Sequence, residues 1–188
     1  MIYSLLNQGL GYYLILLGLT SGARFGEFGL TMKDFDFKNN TIKIEKTWGY
    51  AKRHPQGLGP TKNEASNRTI NLDKKTMNAF RRLFEKVTPN IYGLVFYSPE
   101  SKYRVISNTN PNKLLQKTLK ELGIAPITMH GLKHTHECVQ LYRKIDVNYV
   151  SERLGHSNIE TTYKHYIHVL KELREEVEKL TIETFENM

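Results

Sequence analysis

The sequence predicts an α+β fold that is mainly helical and carries a small three-stranded antiparallel sheet. Three observations lead to this prediction. Apolar residues recur every three or four positions in several long segments, which is typical of amphipathic helices. Apolar and polar residues alternate over residues 35–37 and 41–46, which indicates strands. The chain has 188 residues, of which 39% are hydrophobic, so its size and apolar content suit one domain with one core.

The N-terminal segment contains the most apolar run of the chain. Residues 10–19 are too few to span a bilayer, and Gly11 and Gly18 interrupt them. The segment also lacks the basic start and the small-residue cleavage site of a secretory signal. We therefore predict a buried first helix over residues 2–18 that ends at a glycine, a cytoplasmic location and no membrane partner.

A turn follows, in which residues 20–27 read TSGARFGE. Thr-Ser-Gly is a cap-like sequence that predicts a short helix to about residue 30. An arginine just inside a helix start suits an oxyanion, because its planar guanidinium and the free backbone amides both favour negative charge. Arg24 could equally pair with Glu27 on the surface, and these residues alone leave both interpretations open.

The region after the turn predicts the sheet. Residues 35–37 and 41–46 alternate around an Asn-Asn turn at 39–40, which indicates a β-hairpin. Residues 48–59 contain glycine, proline and basic side chains and are predicted to form a loop. Residues 68–72 are predicted to form the third strand.

Two helices that we interpret as structural come next. The first is predicted to begin at Asp73 and run to about residue 87, with a stop near Pro89. The second is predicted to begin at Ser107 or Asn108, run through residue 122 and end at Gly123.

The segment of residues 128–169 holds six of the seven histidines of the chain. Thr128 is a predicted N-cap of a helix, and a shorter helix is predicted over residues 147–154, ended by Gly155 in the left-handed conformation. A further helix is predicted to open near residues 157–158 and to carry Tyr166.

The number of these histidines raises the possibility of a metal site. His130 and His134 lie one helical turn apart, as zinc ligands can, but we find no glutamate or cysteine at a useful position beside them. We therefore predict no metal and no cofactor. The single cysteine excludes an internal disulfide and fits a reducing compartment.

The charge of the chain favours a polyanionic partner. Its 27 basic and 19 acidic residues give a net charge of +8 and a pI near 9.4. Double-stranded DNA is the partner that we expect from this balance. A basic domain without a nucleic-acid partner is the alternative that charge alone leaves open.

Two motifs resemble the tyrosine recombinase (phage integrase) family, in which H-x-x-R, L-G-H and a nucleophilic tyrosine follow one another. The present chain has HGLK at residues 130–133, LGH at residues 154–156 and Tyr166 ten residues after the histidine. Lys133 stands where the family has its second arginine. TSGARFGE is similar to the family's T-G-x-R-x-x-E box with one extra residue, and this resemblance favours the oxyanion interpretation of Arg24.

The resemblance implies a role for each matched position. Tyr166 would be the nucleophile, and Arg24 and Lys133 would neutralise the non-bridging phosphate oxygens. His130 would assist proton transfer, and His156 would donate a hydrogen bond to a phosphate oxygen. Three further positions follow: Lys62, ahead of the S-x-R-x-I-x-L segment at residues 66–72, would protonate the departing 5′ oxygen, and Glu27 and His168 would support the site.

The implied function is that of a site-specific recombinase or integrase domain that cleaves and rejoins DNA strands through a 3′-phosphotyrosine intermediate. The alternative is a DNA-binding domain whose cleavage is weak or disabled, because Lys133 replaces the second catalytic arginine.

The resemblance also implies a domain organisation. Residues 1–188 correspond to a catalytic domain, and nothing corresponds to the N-terminal DNA-clamping domain of a typical member, so we expect a fragment of a longer integrase. Residues 170–188 are predicted to form an amphipathic helix that docks on its own domain or on a neighbouring protomer. Self-association as a dimer or tetramer on DNA, and a monomer when free, are the corresponding expectations.

Overall fold

The computed structural model describes residues 2–49, 57–61, 63–102, 104–172, 178–179, 182–184 and 186. It confirms the predicted fold class, since most of the described chain is helical and a three-stranded antiparallel sheet is present. Among the described residues, no helix combines the length and the apolar content needed to cross a membrane.

The α-helices of the described ranges, in chain order, are α1 (Ile2–Leu5), α2 (Leu10–Ser21), α3 (Lys74–Lys86), α4 (Thr109–Glu121), α5 (Met129–Tyr142), α6 (Val147–Leu154) and α7 (Glu160–Glu172). The predicted caps of α3 and α5 are confirmed. The Asp73 side chain accepts a hydrogen bond from the backbone of Thr76, and the Thr128 hydroxyl accepts one from the backbone of Gly131.

The predicted first helix was wrong in its bounds. Residues 2–8 form a short α-helix and a 3₁₀ turn, Gly9 interrupts them, and α2 then continues past Gly18 to Ser21. Helix α2 packs closely against Leu132 at Gly18, where a Cβ would lie 3.3 Å from the Leu132 side chain. The close contact favours glycine at this position inside the helix. The helix ends instead at Gly22, whose φ is +66°.

The strands of the described residues form two separate sheets. The three-stranded sheet has the order β1 (Phe35–Asp36), β2 (Thr41–Ile44) and β5 (Arg68–Asn71), all antiparallel. The second sheet pairs β3 (Lys46–Gly49) with β4 (Gly57–Pro60). The prediction of a loop over residues 48–59 was therefore wrong at both of its ends. These two strands contain glycine and lack the alternation of apolar and polar residues that marks a half-buried strand.

Two apolar clusters hold the helices in place. The larger one joins α2 to the three-stranded sheet and to α3, through residues such as Leu16, Ile42 and Phe80, each fully buried. The smaller one lies among α5, α6 and α7 and contains Leu141 and Val150. Helix α5 contacts both α2 and α7, so the polar residues of α5 lie at the junction of the two clusters.

The predicted C-terminal helix is described only in part. Helix α7 extends to Glu172, and residues 178–179, 182–184 and 186 are helical. The apolar positions on which the docking prediction depends, Leu173, Val177 and Leu180, lie outside the described residues.

Candidate active site

Arg24 is positioned by the turn that follows α2. Gly22 allows this turn, because its backbone is left-handed and a Cβ there would lie 2.6 Å from the His136 ring. Arg24 then precedes a 3₁₀ turn over Phe25–Phe28, rather than the longer helix that the sequence predicted. Its side chain is about one-third exposed, with a relative accessibility of 34%.

Glu27 fixes this arginine and a second one. Its carboxylate accepts hydrogen bonds from the Arg24 backbone (2.9 Å), from Arg24 Nη1 (3.0 Å) and from Arg68 Nη2 (2.9 Å). Burial alone would raise the pKa of Glu27, but the hydrogen bond and charge of Arg68, aided by Arg24, hold this pKa below its ordinary value. Glu27 is therefore an ionised, buried anchor for two guanidinium groups.

Both guanidinium groups also reach the end of α6. Arg24 Nη2 donates to the Gly155 carbonyl at 3.3 Å, and Arg68 Nε donates to the Arg153 carbonyl at 2.7 Å. Carbonyls at a helix C-terminus lack partners within the helix and carry partial negative charge, which makes arginine a favourable partner. The two arginines thus fix the turn that carries His156.

Lys133 and His156 form a second hydrogen-bonded unit. Lys133 Nζ lies 2.8 Å from His156 Nε2, and His156 Nδ1 lies 2.8 Å from the Thr162 hydroxyl. An ammonium can only donate, so Nε2 accepts the hydrogen bond from Lys133. In the neutral imidazole, Nδ1 then carries the proton and donates to Thr162. These two hydrogen bonds connect α5 to the turn that follows α6, and that turn to α7.

The pKa values agree with this protonation pattern. Burial, followed by the charges of Lys133 and Arg24, lowers the pKa of His156 to about 4. Burial, followed by the charge of Arg24, lowers the pKa of Lys133 to about 8. At neutral pH the imidazole is therefore neutral and the ammonium is mostly protonated.

His130 and Tyr166 are not hydrogen-bonded to this unit within the described residues. His130 is exposed on the first turn of α5, and its Nε2 lies 3.2 Å from His134 Nε2. The Tyr166 ring is partly buried against the cluster that contains Leu141 and Val150. Within the described residues, the Tyr166 hydroxyl makes no hydrogen bond to Arg24, Lys133 or His156. The structure thus brings three of the six predicted catalytic side chains into contact with a common turn.

Two predicted residues fall outside what the structure describes. Lys62 is one of them, and the side chain of His168 is the other, although the backbone of His168 belongs to α7.

Arg68 is a site residue that the sequence prediction missed. It is nearly as buried as Glu27, with side-chain accessibilities of 7% and 4%. The sequence does mark Arg68, as the arginine of the S-x-R-x-I-x-L segment. It does not reveal the pairing with Glu27, because the two residues are 41 positions apart.

One group of potential metal ligands lies next to the site, on α5 and α7. It consists of His134, Glu137 and His165, whose ligand atoms lie within 4.8 Å of one another. Glu137 stands three residues after His134 on the same helix, so a glutamate does lie at a useful position beside these histidines, contrary to the sequence prediction.

The geometry suits an anionic group with oxygen atoms. Arg24 and Lys133 supply positive charge, and a neutral imidazole stands between Lys133 and Thr162. Donors that are held in place before an anion arrives favour charge that develops on its oxygens during a reaction.

Comparison with known proteins identifies the family. The model of the phage integrase family matches residues 9–172, which is most of the chain. The chain belongs to the phage integrase family. The match includes Arg24, Lys133, His156 and Tyr166.

Individual members of this family are similar over most of the chain. The integrase of Staphylococcus phage L54a is 28% identical over 170 residues, which cover 85% of this chain and 48% of that protein. Transposase A from transposon Tn554 of Staphylococcus aureus is 28% identical over 166 residues, which cover 83% of this chain and 43% of that protein. The chain thus spans less than half the length of either relative.

A solved structure has the same fold. The Tn1549 transposon integrase in complex with transposon right end DNA superimposes with a TM-score of 0.75 at 22% identity, covering 96% of this chain and 63% of that one.

Proposed function

We propose that this chain is the catalytic domain of a site-specific DNA recombinase that cleaves and rejoins strands through a 3′-phosphotyrosine intermediate. The observation that carries the proposal is the convergence of Arg24, Lys133 and His156 on the turn after α6, within a chain that belongs to the phage integrase family. Double-stranded DNA is the proposed substrate, and assembly as a dimer or tetramer on DNA is proposed with it.

The reaction requires no energy source, because the phosphodiester is exchanged rather than hydrolysed. The Tyr166 oxygen attacks the scissile phosphorus, the bond from phosphorus to the 5′ oxygen breaks, and a phosphotyrosine ester forms. His130 accepts the tyrosine proton, and Lys62 supplies a proton to the departing 5′ oxygen. A 5′ hydroxyl of another strand reverses these steps and releases Tyr166.

Arg24, Lys133 and His156 stabilise the transition state in this proposal. Attack places additional negative charge on the non-bridging oxygens, and Arg24 and Lys133 neutralise that charge. The Glu27 carboxylate holds Arg24 in this orientation. His156 turns its Nε2 from Lys133 to a phosphate oxygen when DNA is bound, which requires that ring nitrogen to carry a proton.

A DNA-binding domain with weak or disabled cleavage is the second candidate. One observation favours it: the single ammonium of Lys133 is directed at His156, whereas an arginine would offer two parallel donors. DNA binding would then persist without strand cleavage.

Trapping of the intermediate distinguishes the two candidates. A pool of random-sequence duplexes, each nicked near its centre, is incubated with the chain and resolved by denaturing electrophoresis. The nick traps the intermediate, because the short strand with the 5′ hydroxyl dissociates after cleavage. The proposal expects a covalent protein–DNA band for the wild type and no such band for Tyr166→Phe.

Tyr163→Phe is the matched control, since the Tyr163 ring is exposed and lies 6.5 Å from the Tyr166 ring. This variant should keep the covalent band. A band that persists in Tyr166→Phe and disappears in Tyr163→Phe would show that the nucleophile is assigned wrongly. DNA binding without any covalent band would favour the second candidate.

A further inference from the structure

The side chains of His134, Glu137 and His165 converge between α5 and α7. The Nδ1 atom of His165 lies 2.9 Å from Glu137 Oε2, and the Nδ1 atom of His134 lies 3.8 Å from the same oxygen. Helical spacing places His134 and Glu137 on one face of α5, and α7 supplies His165 from the opposite side.

Glu137 lacks the partners that a buried carboxylate normally has. The residue is 0% exposed, and neither of its carboxylate oxygens accepts a hydrogen bond from the described residues. His165 Nδ1 is unpartnered in the same way, although it is close to Glu137 Oε2. The distance between His165 Nδ1 and Glu137 Oε2 would allow an ion pair, but the angles between these groups are not those of a hydrogen bond. A carboxylate and two imidazoles instead face one another around a common point.

We propose that His134, Glu137 and His165 bind a divalent transition-metal ion of the Zn²⁺ type. Two imidazoles and one carboxylate are a set of ligands that such an ion takes readily. Metal–ligand bonds of about 2.1 Å in a tetrahedral arrangement place the ligand atoms about 3.4 Å apart. The observed separations lie on both sides of that value, so small side-chain movements are sufficient to accommodate the ion.

The surroundings of the ligands support this assignment. A histidine that binds a metal through Nδ1 carries its proton on Nε2 and donates it to an acceptor, and His134 Nε2 lies 3.2 Å from His130 Nε2. His134 and His165 are also partly exposed, with side-chain accessibilities of 45% and 34%, so the ion has a path from solvent. The bound ion would connect α5 to the helix that carries Tyr166.

Metal binding is tested without DNA, so its outcome is independent of the proposed function. The chain, without a polyhistidine tag, is treated with a chelator, freed of the chelator and titrated with ZnCl₂ in a calorimeter. We expect one Zn²⁺ per chain. Glu137→Gln removes one ligand charge at constant volume and should weaken binding at least about 100-fold, because loss of an outer-shell partner alone costs 10- to 100-fold.

His165→Gln is the second variant, and it should weaken binding as much as Glu137→Gln does. Because the His165 side chain is partly exposed, this variant should fold even if substitution of the buried Glu137 prevents folding. Cys138→Ser and Glu160→Gln are the controls, because both are exposed and one lies beside Glu137 while the other lies on α7. The controls should bind Zn²⁺ as the wild type does.

Thermal unfolding gives a second readout. Zn²⁺ should raise the unfolding midpoint of the wild type and leave that of Glu137→Gln unchanged, because a ligand stabilises only the form that binds it. Absence of saturable Zn²⁺ binding by the wild type would overturn the proposal. Equal affinity of the wild type and Glu137→Gln would also overturn it.

Discussion

At the scale of single residues, one carboxylate organises the cations of the candidate site. Glu27 holds Arg24 and Arg68 through charge-assisted hydrogen bonds, and the two arginines in turn bond to the carbonyls at the end of α6. This arrangement orients Arg24 before any anion binds. Lys133, by contrast, has the neutral ring of His156 as its near partner, so its ammonium is directed at a single acceptor.

Lys133→Arg should therefore increase the rate of DNA cleavage. Loss of a whole oxyanion donor typically slows catalysis by a factor of about 10² to 10³, so a change of geometry at constant charge should be worth roughly 10 to 10². DNA affinity should change little, since the charge is the same. Single-turnover cleavage and equilibrium binding measure the two quantities separately. An arginine variant that cleaves no faster would remove the argument for a disabled site.

The His156 ring should stay neutral, with its proton on Nδ1, at every pH well above 4. Its pKa of about 4 lies below the ordinary value of 6.5, so the unfolded chain binds this proton first. The contribution of His156 to stability is thus complete above pH 6.5 and falls as the pH drops toward 4. Nitrogen-15 NMR of the imidazole reports both the tautomer and the titration. A midpoint near 6.5, or a proton on Nε2 in the free chain, would contradict the hydrogen-bonded unit.

At the scale of elements, the sequence was most informative where a cap and a helical period coincide. Asp73 and Thr128 mark their helices because a side-chain oxygen there satisfies a free backbone amide, and this local interaction leaves a local signal. The paired strands β3 and β4 leave no such signal. Their pairing joins Trp48 to Leu58 across a connection, and their glycines hide the alternation.

The candidate site shows the same distinction. Arg24, Lys133 and His156 could be predicted because a resemblance of motifs marks them. Arg68 lies in a visible motif and Glu137 stands three residues after His134, but neither position reveals the partner that gives the residue its role. Arg68 bonds to Glu27 and Glu137 faces His165, and both partners are distant in the chain. Residues whose surroundings form only on folding leave little local trace in the sequence.

Gly155 should be required for the turn that carries His156. Its φ is +62°, and a Cβ there would lie 2.8 Å from Arg68 Nη1 and 3.0 Å from the Ala65 carbonyl. Gly123 is the matched control, since its φ is +67° and a Cβ there would meet nothing within 4 Å. Left-handed backbone strain should cost about 1 kcal/mol in either alanine variant.

Crowding should make Gly155→Ala at least about 1 kcal/mol less stable than Gly123→Ala. Urea unfolding of the two variants measures the difference. Equal destabilisation would show that the contacts of Gly155 with Arg68 and Ala65 are not tight in solution.

At the scale of the whole molecule, the charge of the chain favours binding to DNA without a sequence preference. The net charge is +8, and the chain spans less than half of the relatives described above. Phosphate contacts dominate the affinity of such a surface, and each contact releases condensed counterions. Recognition of a particular DNA site depends on contacts to base edges, which charge does not provide.

Affinity for a random-sequence duplex should therefore fall steeply with salt. Each neutralised phosphate contributes about 0.9 to the slope of log affinity against log salt concentration, so several contacts give a slope of several units. Fluorescence anisotropy at four or five salt concentrations measures this slope. A flat dependence would contradict the electrostatic interpretation of the basic composition.

The proposed recombinase activity requires Tyr166 to form a 3′-phosphotyrosine ester with DNA. The most direct measurement is mass spectrometry of the covalent protein–DNA complex after digestion with protease and nuclease, together with end analysis of the released strand. We expect a nucleotide attached to the peptide that contains Tyr166, and a released strand with a 5′ hydroxyl that polynucleotide kinase labels directly. A nucleotide on another residue, or a released strand with a 5′ phosphate, would rule out a 3′-phosphotyrosine ester at Tyr166.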